Sequence, residues 1–262
     1  MQDSGHEAVP LKTGELRPGL LNFNFPEQEG FDYGFNIYSL ISEGRALLFD
    51  AAFRSQMKAV LHALEGRRSS LSTVILTHFH NDHAAGLMAA PENIPAMGSP
   101  EYRQTLAKDI SQAVTPVDFH EPFIFGDSRL SFIPAPGHSP CSIFVDIDGE
   151  YIHAGDNLMS RYDGRRIVPW VRRDDIEDHM ASLELLKGMK RNRILLSHGP
   201  MIEGGAKVEK EIDLRLSYLD RMLSPFFGMT VEEVLPGSPD GWVCHRHFTE
   251  LLEEGAPASQ QG

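Results

Sequence analysis

Four short apolar runs in this 262-residue chain break off into the same kinds of residue. "STVIL" leads into His78, His80, Asp82 and His83, "SFIPAPG" into His138, "EYIHAG" into Asp156, and "RILLS" into His198. A short apolar run bounded by Gly, Pro and polar residues reads as a buried strand. Loops at strand ends are where a rigid scaffold can bring side chains to one point. A chain that ends strand after strand on imidazole or carboxylate therefore has to fold with those ends serving a common site.

The remaining pattern supplies helices between such strands. "FNIYSLI" and "RALLFDAA" are separated by "SEG", a hairpin signal, and "FRSQMKAVLHALEG" places Met57, Val60, Leu61 and Leu64 at helical spacing with Gly66 as a stop. "SPEYRQTLAKDISQAV" opens on Ser99 with Pro100 at the first helical position, and "DDIEDHMASLELLKGM" carries acidic residues at its start, as a helix dipole favours. After residue 200 the chain turns helical, with candidates in "GAKVEKEIDLRLSYLDRMLS", "TVEEVL" and "WVCHRHFTELLEEG". The expected division is an N-terminal lead-in with at most one strand (residues 1–30), a body (31–204), a helical appendage (205–255) and a disordered tail (256–262). Strands and helices that alternate through residue 200 predict a layered α/β body, and the hairpins argue for mixed rather than all-parallel sheets.

Charge and composition narrow the partners. A formal net charge of −13 offers no global attraction for nucleic acid or an anionic membrane. No run of about 18 apolar residues is present, and the N-terminal stretch lacks the basic start and apolar run of a signal peptide. Two cysteines, Cys141 and Cys244, are too far apart for a C-x-x-C motif. The expectation is a cytoplasmic protein of undefined oligomeric state.

Five imidazoles and two carboxylates suit two borderline divalent ions such as zinc. Iron and manganese occupy similar His/Asp sites, whereas magnesium or calcium would call for oxygen ligands alone.

"THFHNDH", "PGHS", "AGD" and "SHGP", in this order, resemble the motifs of the metallo-β-lactamase-fold hydrolases, the glyoxalase-II, lactonase and thioesterase-like branch in particular. The resemblance covers roughly residues 33–200 and implies an αββα four-layer sandwich. It implies one metal held by His78, His80 and His138, a second by Asp82, His83 and His198, and Asp156 bridging them. Asp50, at the end of "ALLFDAA", matches an aspartate that supports the first loop by hydrogen bonds. The helices after residue 205 look like a small winged-helix-like tail.

Two such ions would provide a bridging hydroxide near neutral pH to attack a carbonyl, with Asp82 also taking the proton as the tetrahedral species collapses. A thiolate leaving group needs little acid assistance, its conjugate acid having a pKa of about 8.5. The expected activity is hydrolysis of a thioester or lactone of a small-molecule or carrier-linked acyl substrate. A phosphodiesterase or single-strand RNA nuclease of the same fold is the alternative, disfavoured by the net charge and by the lack of a basic stripe. A non-catalytic metal-containing binding or sensor protein is a third reading.

"RYDGRRIVPWVRR" follows Asp156 and carries Arg161, Arg165, Arg166, Arg172 and Arg173 beside Trp170. Arg161, Arg165 and Trp170 are candidates for binding an anionic substrate portion. Neutralisation of the loop by Asp163, Asp174 and Asp175 is the competing expectation. His6, His62 and His179 are expected at the surface, and His153 is expected to be packed. His120 is a weak candidate for the pocket, and His245 and His247 are expected to be structural.

Overall fold

The computed structural model describes residues 11–27, 34–101, 114–223 and 235–243. The chain divides into two compact units, residues 1–131 and 132–262.

In the first unit a seven-stranded sheet runs in chain order, β1 (Lys12–Arg17), β2 (Leu20–Phe25), β3 (Phe35–Ser42), β4 (Arg45–Phe49), β5 (Ser70–Ile75), β6 (Ala96–Gly98) and β7 (Val114–Pro116). The first four strands pair antiparallel and the last four parallel. The "SEG" signal resolves into a two-residue turn in which Glu43 (φ 50°) and Gly44 (φ 73°) both take positive φ. That backbone matches the right-handed twist of the strands it joins. A parallel neighbour cannot follow through a tight turn, so β4 reaches β5 through the helix Arg54–Gly66, which buries Met57, Val60 and Leu64. Leu61, assigned to the same stripe from sequence, lies at its half-buried edge.

The lead-in holds two strands rather than at most one. In "LLNFNF" the residues Leu21, Phe23 and Phe25 alternate with half-buried asparagines, the period of a strand with one face in the core. Gly19 (φ 78°) turns β1 back onto β2, and a side chain there would meet the carbonyl of Ile41. The asparagine face is joined laterally, since Asn22 and Asn24 both donate to Oδ1 of buried Asn36 at 3.1 Å.

A second sheet has the order β14-β13-β11-β10-β9-β8, with β8 at Phe123–Phe125, β9 at Ser128–Pro134, β10 at Ile143–Ile147, β11 at Tyr151–His153, β13 at Arg193–Leu195 and β14 at Ile202–Glu203. It is mixed: β11 and β13 are parallel, and β10/β11 and β13/β14 are antiparallel. The helix Ile176–Gly188 makes the parallel crossover, and the helix Gly205–Leu223 follows β14. In the second unit, Phe144, Ile152, Leu183, Leu186, Ile194, Ile212 and Leu219 form one buried cluster, so the long helix supplies core residues to this unit.

The stretch beginning at Trp242 departs from the helix expected of it. Trp242–Val243 forms a short strand, β15, parallel to β12 (Arg166–Ile167). The buried indole explains this local choice. It lies against Tyr218 at 6.0 Å between ring centres, takes the Arg166 and Arg215 guanidinium groups over its face, and donates Nε1–H to the Pro236 carbonyl at 3.0 Å. Most of the expected helices at 99–114 and 230–255, and the tail, lie outside the described residues. At the start of the first, Ser99 Oγ accepts the Glu101 N–H at 3.2 Å, as a cap does. Among the described residues no helix is long and apolar enough to cross a membrane.

Candidate metal centre

Two sets of donor atoms form where strands end. In the first unit, β5 gives way to Thr77 and the histidine loop, and Asn81–Ala84 form a one-turn helix carrying Asp82 and His83. Buried Asp50, at the end of β4 with φ 66°, organises this loop. Its Oδ1 accepts the Thr77 backbone N–H at 2.7 Å, its Oδ2 lies 3.0 Å from the Thr77 hydroxyl, and the same Oδ2 accepts His83 Nδ1–H at 2.9 Å.

Those bonds set tautomers. A carboxylate only accepts, so His83 must carry its proton on Nδ1, leaving the Nε2 lone pair beside Asp82 Oδ2 at 3.8 Å. The Thr77 hydroxyl gives its hydrogen to Asp50 and is then an acceptor for His78 Nδ1–H at 3.2 Å. The Nε2 of His78 is left as a lone pair, 3.1 Å from Nδ1 of His80. One aspartate thus fixes the tautomer of two imidazoles, with the lone pair of each on Nε2.

Gly86 closes the loop. Its N–H donates to the Ala52 carbonyl at 2.7 Å, the Ala51 N–H to the His83 carbonyl at 2.7 Å, and a Cβ on Gly86 would lie 1.9 Å from the Ala51 oxygen. The approach of these two segments therefore requires glycine.

In the second unit the three remaining donors meet at one carboxylate oxygen. Asp156 Oδ2 lies 3.6 Å from Nε2 of His138 and 3.5 Å from Nε2 of His198, and all three residues are buried. His138 donates Nδ1–H to the Trp170 carbonyl at 2.8 Å, which again leaves the lone pair on Nε2, the nitrogen that faces Asp156. Two ligand atoms on one tetrahedral zinc ion, with bonds of about 2.0–2.1 Å, stand roughly 3.4 Å apart. The observed separations and the neutral-imidazole, carboxylate donor set fit a metal of that kind.

The arginine-rich loop is more heavily paired than its composition implied. Asp163 takes Arg165 at 2.6 Å and stands 3.6 Å from Arg161, while Arg172 stands 3.7 Å from Asp175. Arg166 forms a two-pronged pair with Glu211 on the helix Gly205–Leu223, at 2.7 and 2.8 Å. Burial pushes the Glu211 carboxyl up, but hydrogen bonds from Arg166 and Arg215 outweigh it and leave the group below its ordinary range. Trp170 is 48% exposed, with its ring edge-on to His138.

His179, expected at the surface, is fully buried. The sequence carried a signal: Ile176, His179, Leu183 and Leu186 lie at helical spacing and form the buried stripe of their helix. Burial opposes the imidazolium and pushes its pKa down to about 3, and the nearby His138 adds to the effect. His62 and His120 are exposed, His153 is fully buried in β11, and His6, His245 and His247 lie outside the described residues. Cys141 is buried, its Sγ 2.9 Å from the Ser139 hydroxyl.

Comparison with known proteins finds relatives along most of the chain and solved structures of the same fold. A relative in Drosophila melanogaster, "Beta-lactamase-like protein 2 homolog", is 24% identical over 235 residues, covering 84% of this chain and 77% of that protein. The "Atrochrysone carboxyl ACP thioesterase" of Aspergillus fumigatus is 25% identical over 229 residues, covering 86% of this chain and 70% of that one. The solved metallo-β-lactamase from Pontibacter korlensis superposes with a TM-score of 0.66 at 15% identity, covering 80% of this chain and 99% of its own, and so shares the fold. The model of the metallo-β-lactamase superfamily matches residues 34–198, from the start of β3 to His198 and well over half of the chain, and the chain belongs to that superfamily.

Proposed function

We propose that this protein is a dinuclear metal-dependent hydrolase of a thioester or lactone on a small or carrier-linked acyl substrate. The observation that carries the reading is the position of Asp156 Oδ2, nearly equidistant from His138 and His198. One carboxylate oxygen between two imidazoles fits a ligand shared by two ions. By the order of the motifs, His78, His80 and His138 would hold the first and Asp82, His83 and His198 the second, with Asp156 common to both. Zinc suits this donor set best.

Bound there, the ions supply Lewis acidity and hydroxide near neutral pH. The protein's own part begins with Asp50 and the Trp170 carbonyl, which keep His78, His83 and His138 in the ligand tautomer. Asp82, on the one-turn helix with 29% of its side chain exposed, takes the proton released as the tetrahedral species collapses and can pass it to solvent. Trp170 offers the acyl portion an apolar face beside His138, and an anionic portion would have to draw Arg161 and Arg165 from their pairing with Asp163. The thioester preference is supported by the low demand of a thiolate for acid assistance. The relative described as a carrier-protein thioesterase supports it as well.

The test combines elemental analysis with hydrolysis of an acyl-thioester and lactone panel, using His80→Ala as control. About two metals per chain, with turnover lost in the control, is the expected result. Two metals with turnover of phosphodiesters alone would overturn the substrate class, and no metal after metal-replete preparation would overturn the centre.

A further inference from the structure

The helix Ile176–Gly188 supplies none of the seven donor residues, yet it touches two of the three donor loops of the second unit, those of His138 and Asp156. His179 Nε2–H donates to the carbonyl of Asn157, the residue after Asp156, at 3.2 Å. Ser182 donates its hydroxyl to the carbonyl of Pro136, two residues before His138, at 2.7 Å. Asn157 then joins the loops directly, its Nδ2–H donating to the Ala135 carbonyl at 2.9 Å. Ala135, Asn157, His179 and Ser182 are buried and Pro136 is half-buried.

Gly137 shows how close the helix lies. Its φ is 132°, and a Cβ there would stand 2.3 Å from Cα of His179 and 2.6 Å from its backbone N. The residue immediately before ligand His138 thus rests on the backbone that carries His179.

We propose that His179 is a positioning residue, which through Asn157, and together with Ser182, holds the Asp156 and His138 loops at the separation that metal binding needs. A buried histidine whose task was only to fill space could be replaced by leucine at little cost, because volume-conserving apolar swaps are well tolerated in cores. Here the replacement would strip the Asn157 carbonyl of its donor in a site closed to water. The loop after Asp156 would then shift toward another donor and carry the carboxylate with it. Hydrogen-bonding partners outside a metal's ligand set are worth roughly 10–100-fold in affinity when removed.

The inference rests on the reading of His138 and Asp156 as ligands, and the experiment separates the two. The full chain is stripped with chelator and titrated with cobalt(II), whose visible d–d bands report ligand geometry independently of turnover. Wild-type protein that takes up no cobalt would remove the ligand reading itself. If wild type binds, folded His179→Leu should bind cobalt about 10–100-fold more weakly with altered bands. His179→Gln, whose amide N–H can reach the same carbonyl, should restore both. Should the leucine variant not fold, Ser182→Ala, which removes a single hydroxyl, is expected to shift the bands in the same direction. Unchanged affinity and bands in the folded leucine variant, or in Ser182→Ala when it stands in, would overturn the proposal. So would a glutamine variant as impaired as leucine.

Discussion

Oδ2 of Asp50 sits 2.9 Å from Nδ1 of His83, with both side chains fully buried. This hydrogen bond decides which nitrogen of His83 can bind a metal. In Asp50→Asn the amide would keep the shape, but only one of its two ends could still accept. If the carbonyl end serves Thr77, the amide N–H faces His83 and moves its proton to Nε2, closing the ligand position. The expected outcome is a folded protein whose affinity for one ion falls about 10–100-fold, with metal content dropping from about two per chain toward one. Elemental analysis beside circular dichroism checks it, and full occupancy at wild-type affinity would contradict it.

A steric argument governs Gly86→Ala. The added methyl would fall 1.9 Å from the Ala51 oxygen, so the segment bearing Asp50 and the segment bearing His83 would have to separate. Loss of the Gly86 to Ala52 and Ala51 to His83 hydrogen bonds should destabilise the protein by about 2–4 kcal/mol. Metal uptake should fall with it. A melting temperature and metal content equal to wild type would show that the backbone relaxes more freely than its packing implies.

How much of this was legible in the residues follows from the range of each interaction. The seven ligand-type residues stood out because each of their four groups begins three or four residues past the end of a strand, and local patterning carries that. The β3/β4 hairpin was legible for the same reason. The β1/β2 hairpin was missed although "LLNFNF" alternates at strand period, because Gly, Pro and charge around it read as a loop-rich lead-in. His179 was missed because a single histidine among acidic residues looks solvated until its place on the Ile176, Leu183, Leu186 stripe is noticed. The pairing of Arg166 with Glu211 and the strand at Trp242 join residues 45 and 76 positions apart, and no local pattern encodes such partners.

Arg215 gives a prediction of stability. Its guanidinium is fully buried, pairing with Glu211 at 2.7 Å and donating to the Met159 carbonyl at 2.7 Å and the Ser160 hydroxyl at 3.3 Å. Burial lowers its pKa, and the Glu211 carboxylate opposes that effect. Arg215→Met removes these donations and a fourth, to the Glu211 backbone carbonyl at 2.9 Å, and should cost about 3–5 kcal/mol, the range for breaking a buried pair from one side. Glu211 retains Arg166 in that variant, so adding Glu211→Gln should deepen the loss by removing the partner of Arg166 as well. Denaturant midpoints of the single and double variants test this, and a neutral single variant would show that the pair contributes nothing net.

The last prediction concerns acid. His179 has a pKa near 3 in the folded chain and about 6.5 when unfolded, so between those values the unfolded state holds a proton that the folded state lacks. Stability therefore rises with pH across this window and is lost as pH falls from about 6.5 toward 3. The slope from one group is at most about 1.4 kcal/mol per pH unit. His179→Gln has nothing to titrate and should flatten the slope by up to one proton. Urea unfolding of chelator-treated wild type and variant at pH 7, 6 and 5 measures the difference. Parallel pH profiles would mean that the buried imidazole becomes protonated in the folded protein as readily as in the unfolded chain.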